Sequence, residues 1–303
     1  MLRSQQVPAA EENIPFLVTF GNQSNVSWGD DDFSQTFFFL VPENCKSSIY
    51  IRVFDPDISG QHDEMKTAFN TTTRFSVYGG AGSFSNPDAK GIDPVGNYKS
   101  GTLLSTKVFK DEKYDNDWYT FGPFFPNQGE LDKNFGGYIF KVIADGIGGD
   151  DGNLYKYFMS TFTDKNSAVE GGNAFTYEYT FRLHDSPKQV SHIYPYVDSK
   201  VTSVKQNNFD GDMDGSIRIV SKDKPGINVT LSGENEWANS EHKITPAEHN
   251  SSLDIQFVKS PKGIQRNNIV MSIRNQYGEL LPFYSVPIGG IPKFKARPVV
   301  KKH

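Results

Sequence analysis

The segment IYIRVFDPDISGQHDEMK, residues 49–66, runs from an alternating strand pattern into a loop that collects Asp55, Asp57, Asp63 and Glu64. Three further loops are acidic: one holds Asp30, Asp31 and Asp32, one Asp111, Glu112, Asp115 and Asp117, and one Asp145, Asp150 and Asp151. Carboxylates gathered within a few ångströms repel unless protonation or a cation relieves them. Calcium takes about six to eight oxygen ligands in a flexible arrangement, which Asp-rich and Gly-rich loops can supply. The chemistry these residues suggest is therefore calcium binding, against the plainer alternative of solvated acidic loops. A separate motif, NFDGDMDGS, places Asp210, Asp212 and Asp214 before Gly215. This is the D-x-D-x-D-G start of a calcium loop, but the position reserved for a bidentate acid is Ser221, so an EF-hand is not expected. A second metal-binding turn and a tight hairpin both fit the motif.

Two of the acidic loops carry a more specific spacing. Asp55, Asp57 and Asp63 form D-x-D-x5-D directly after an apolar strand, and Asp145 and Asp151 form D-x5-D after another. These segments resemble the third and first calcium loops of the protein kinase C conserved-region-two family of calcium-binding sandwiches. The resemblance implies that Asp55, Asp57, Asp63, Asp145 and Asp151 coordinate calcium at one sandwich edge, with Asp150 or Glu64 as additional ligands. The loops occur in the reverse of the family order, which implies a permuted or convergent sandwich. Family members use calcium to engage anionic phospholipid; Ile58 and Ile147 match apolar loop tips, but no basic cluster accompanies them.

The elements that must position these loops read as strands. Apolar and polar residues alternate in SIYIRV, TRFSV and FTYEYTFR, while helical periodicity is missing and Gly, Asn and Asp punctuate the runs. The fold class expected is all-β, with two antiparallel sandwich domains. About nine strands are expected before residue 184, and shorter ones follow a turn-rich junction containing Pro187 and Pro195. The expected organisation is a flexible N-terminus over 1–14, a calcium-type sandwich over 15–186, a smaller immunoglobulin-like sandwich over 187–290 and a basic tail over 291–303. If each connection of the first sandwich reverses the chain, alternate loops share one end, and the four acidic loops above are the odd-numbered ones.

Composition excludes several classes. The chain has 303 residues, 36% hydrophobic and 14% aromatic, enough to bury real cores, and its formal charge of -5 disfavours nucleic acid as a partner. A single cysteine, Cys45, excludes an intramolecular disulfide framework. No apolar run approaches the roughly 20 residues of a membrane-spanning helix. Nucleophile-elbow, zincin, P-loop and dinucleotide motifs are missing. Trp28 and Trp118 are candidate rings for sugar stacking. The function expected is non-catalytic: a secreted or cell-surface binding or adhesion protein with calcium-ordered loops, since millimolar extracellular calcium fills weak sites. Its ligand is expected to be carbohydrate or protein. A calcium-dependent phospholipid module and a hydrolase are the alternatives.

Overall fold

A computed structural model describes residues 5–25, 33–110 and 112–294. It is all-β with antiparallel sheets. Eight strands carry the first half: Leu17–Phe20, Ser34–Pro42, Ile49–Phe54, Thr72–Gly79, Thr102–Phe109, Trp118–Phe124, Gly137–Gly148 and Gly152–Ser160. Numbered in that order, they lie as 1-8-3-6 in one sheet and 2-7-4-5 in the other. This is the interleaved order of a jelly roll, two Greek keys folded into facing sheets. The alternation of the sequence explains the packing. Phe37, Phe39 and Val41 from one sheet and Ile51, Val53, Tyr155 and Tyr157 from the other are all buried in one core. The rings meet edge to face, Phe75 on Tyr155 at 5.0 Å and Phe39 on Tyr157 at 5.8 Å.

The chain then crosses between sheets. Residues 174–183 read as one strand from sequence, but Asn173–Thr176 extends the second sheet and Glu178–Arg182 extends the first, with the switch at Tyr177. Beyond the junction, Asn268–Asn275 pairs with Glu178–Arg182, and Ser203–Phe209 and then Trp237–Lys243 follow outward. Phe283–Tyr284 returns to pair with Asn173–Thr176. A four-stranded sheet ordered Val190–Ile193, Asp254–Lys259, Gly215–Val220, Pro225–Val229 belongs to the second half. Its Ile217, Ile219, Ile255 and Phe257 join the same core cluster as Phe181 and Ile269. A second sandwich therefore exists, but hydrogen-bonded sheets and a shared core cross the boundary expected at 186/187. Trp237–Lys243 escapes a sequence reading because its alternation is polar, as suits an edge strand facing solvent.

Two segments clamp this frame. Within the segment 1–14, expected to be flexible, the described residues from Gln5 onward are held: Gln6–Val7 pairs with Gly152–Ser160, and the Gln5 side chain exchanges bonds with Val169 at 2.5 and 2.9 Å. Glu12 is fully buried, accepting from Ala9 N and from the Tyr179 hydroxyl at 3.1 Å, while its Oε1 has no partner. Burial pushes its carboxyl up to about 8. On the outer face of the second sheet, Lys141 holds the loop 80–101 by donating to Tyr98 O and Ser100 O at 2.5 and 2.9 Å, and Phe84 packs beside Phe38 and Phe175.

Candidate functional site

The described parts of the acidic loops meet at one end of the jelly roll, as chain reversal requires; Asp30, Asp31, Asp32 and Asp111 lie outside the described residues. Ser24 Oγ donates to Asp150 O, Asn70 exchanges bonds with Asp150, and the backbone of Asn116 and Tyr114 donates to Asp55 and Asp57. What meets there is mostly carboxylate and backbone N–H. Asp63 accepts from Ser59 N at 2.7 Å and Leu154 N at 2.6 Å. Asp151, fully buried, accepts from Lys66 N, Asn70 N and Thr71 N at 3.0, 2.7 and 3.2 Å. Each side chain fastens a loop and takes up backbone amides, those of Ser59, Thr71 and Leu154 buried, that would otherwise lack partners. Gly149 is required at the crossing: its φ is +84°, and a Cβ there would lie 2.3 Å from Thr71 Cα.

The proposed ligand set separates by partner. Asp145 pairs with Arg74 at 2.7 Å and Lys99 at 3.1 Å, and Asp150 faces Lys66 at 3.6 Å. Asp55 differs, because its Oδ2 is buried with no partner. Burial raises its carboxyl to about 6, against the Asn116 N–H and with Asp115 and Asp57 adding repulsion. Burial also drives Asp63 well above the usual carboxylate range. Among the described residues, no three carboxylate, imidazole or thiolate groups are arranged to hold one metal ion.

The second motif is likewise divided. Asp214 is buried and paired with Lys259, and it accepts from Ile264 N at 3.1 Å. Asp210 accepts from Asn235 N at 2.6 Å, and burial raises its carboxyl to about 7. Asp212 is half-buried, and it too is raised by burial, with Glu234 next. These last two face the Glu64 end of the first acidic loop. Together Glu64, Asp210, Asp212, Arg266, Asn267 and Asn268 line a cavity of about 280 Å³. Arg266 also borders a neighbouring cavity of about 330 Å³, lined by Phe16, His62, Arg182, His184 and Asp185. Between the two runs a buried array: Arg182 pairs with Glu64, Arg182 Nε donates to Asn268 Oδ1 at 2.8 Å, and Asn268 Nδ2 donates to Glu64 at 3.0 Å. Burial pushes Glu64 up and Arg182 down, and the pairing of the two opposes both shifts.

No protein-family model matches the chain, and no curated protein matches it. Similar solved structures include two from infectious bursal disease virus. The Gt strain structure is 12% identical with a TM-score of 0.18, covering 89% of this chain and 72% of that one. The Gx strain structure is 13% identical with a TM-score of 0.15, covering 89% and 74%. At such scores the likeness carries no argument about function.

The two tryptophan candidates fall differently. Trp28 lies outside the described residues. Trp118 packs at a tilt against Phe54 at 5.3 Å with the Arg52 guanidinium 4.9 Å from its ring centre, so part of its surface is already occupied. The groups that line the double cleft were not legible as a set. Glu64, Arg182 and the Arg266–Asn268 segment are far apart in sequence; the pairing of Glu178–Arg182 with Asn268–Asn275 sets Arg182 beside Asn268, and the ion pair with Arg182 brings in Glu64. The one local signal was the acidity of the two loops, which marked Glu64 and Asp212.

Proposed function

We propose that this is a non-catalytic binding protein, acting outside the cytoplasm, whose ligand is a carbohydrate held in the double cleft. The supporting observation is the concentration of planar polar side chains, Glu64, Asp212, Arg266, Asn267 and Asn268, on the walls of one concave opening. Carboxylates, amides and guanidinium groups bind pairs of hydroxyls in directed, in-plane hydrogen bonds. A buried ion pair such as Glu64 with Arg182 contributes little net stability, yet it fixes the orientation of both groups. Screening against an array of glycans is expected to yield binding that Asp212→Ala weakens by about tenfold, a loss of ~1.4 kcal/mol, at unchanged melting temperature. An array with no binders would overturn the proposal.

A second reading, that calcium orders the acidic end, is favoured by the partnerless Asp55 Oδ2 beside Asp57 and Asp115. A cation there would supply the missing partner, with carbonyls and water completing its shell. The expected result is a melting temperature that rises with millimolar calcium, falls back with EDTA, and does not respond in Asp55→Asn. No shift in the wild-type protein would leave protonation of Asp55 as the means of relief.

A further inference from the structure

The cavity that holds Arg182 differs in charge from the rest of the molecule. The chain carries a formal charge of -5, yet this cavity gathers two arginines and two histidines against Asp185. Arg182 is only 6% exposed. Its Nε is committed to Asn268 and its Nη2 to Glu64. Arg182 nevertheless forms part of the wall of this open cavity. A guanidinium held in place by two partners on the wall of an open cavity is preorganised for an oxyanion. Arg266 borders the same opening and is exposed, so it can approach from the rim. The Lys156 ammonium, 4.3 Å from the centre of the Phe16 ring, adds positive charge beside this wall. His62 packs at a tilt against Phe16 at 4.7 Å, giving the cavity an aromatic side as well.

We infer that this second cavity binds a carboxylate, and, resting on the carbohydrate reading above, that the ligand is a carboxylate-bearing saccharide. The carboxylate meets Arg182 and Arg266, and the hydroxyls of the same sugar face the amides and carboxylates of the adjoining cavity. Asp185, which accepts from Arg266 N at 2.7 Å and lines the same cavity, supplies an acceptor for a hydroxyl and repels a second anionic group. Saccharides with one acidic group per residue are therefore favoured over densely charged ones.

The experiment titrates the full chain at low salt with glucuronate, glucose and acetate, followed by backbone amide NMR. Glucuronate is expected to bind about tenfold or more tighter than either of the others, with shifts at both cavities. Arg266→Gln is expected to lower glucuronate binding to the level of glucose while leaving the melting temperature unchanged. Equal binding of glucose and glucuronate would overturn the carboxylate inference and leave the carbohydrate reading standing. Equal binding of acetate and glucuronate would keep an anion site and overturn the saccharide. No binding of any of the three would overturn both.

Discussion

Replacing Asp151 with alanine is expected to destabilise the protein by roughly 3–5 kcal/mol, and so to lower its melting temperature by about 6–12 °C. The carboxylate is fully buried and accepts three backbone N–H groups, from Lys66, Asn70 and Thr71. The Thr71 hydroxyl donates to it as well, at 3.3 Å. Removing the acceptor strands several amides at once in a place that water reaches poorly, which costs far more than the net value of one hydrogen bond. Its neighbour is the control. Asp150 is partly exposed and holds Lys66 at 3.6 Å, so Asp150→Ala is expected to cost less than about 1 kcal/mol. Thermal melts of both variants decide the matter. Similar small effects in the two would mean that the acidic end is held by something other than these carboxylate clips.

The second large effect is a dependence on pH. Glu12 has a folded value of about 8, raised from 4.5 because burial penalises its charged form. The stabilisation from a group raised in this way is fully present below its unfolded value. It declines as the unfolded chain ionises, and it is lost as pH rises through 8. The expected loss between about pH 4.5 and 8 is on the order of 4 kcal/mol from Glu12 alone. Asp210 and Asp55, raised to about 7 and about 6, act in the same direction over narrower windows. Glu12→Gln keeps the acceptor for Ala9 N and Tyr179 but cannot ionise. It is expected to flatten the fall in melting temperature between pH 5 and 8, and to be more stable than wild type at the alkaline end. Amide exchange should place the wild-type loosening first in residues 5–13, where Gln5, Glu12 and Asn13 fasten the chain to both halves of the molecule. A variant with an unaltered pH profile would show that Glu12 is ionised in the fold.

These expectations rest on a different account of the carboxylates from the one that spacing suggests. D-x-D-x5-D says that three acids follow a strand within one loop, but it does not say whether the space between them holds a cation or a row of N–H groups. Asp63 illustrates the ambiguity. Its spacing is that of a ligand, and its two oxygens are taken by Ser59 N and Leu154 N. Asp145 shows it again, since Arg74 lies far away in sequence and becomes its partner only because Thr72–Gly79 pairs with Gly137–Gly148.

By itself the sequence located the main strands of the first sandwich, by alternation where one face is buried, as in Ser34–Pro42, and by apolar runs where both are, as in Gly137–Gly148, whose end it placed short of Asp145. It also determined that the connections carrying Asp55, Asp115 and Asp150 share an end, since antiparallel strands joined by reversals leave no other choice. Only the tertiary structure decided the rest. The crossing of Tyr177 from one sheet to the other, the sheets that run through the expected domain boundary, and the joining of Arg182 to Glu64 and Asn268 all depend on pairings between distant strands. Local periodicity records which face of a strand is buried. It holds no record of which strand lies alongside, and it is that neighbour which decides whether a carboxylate meets an amide, a guanidinium or an open cleft.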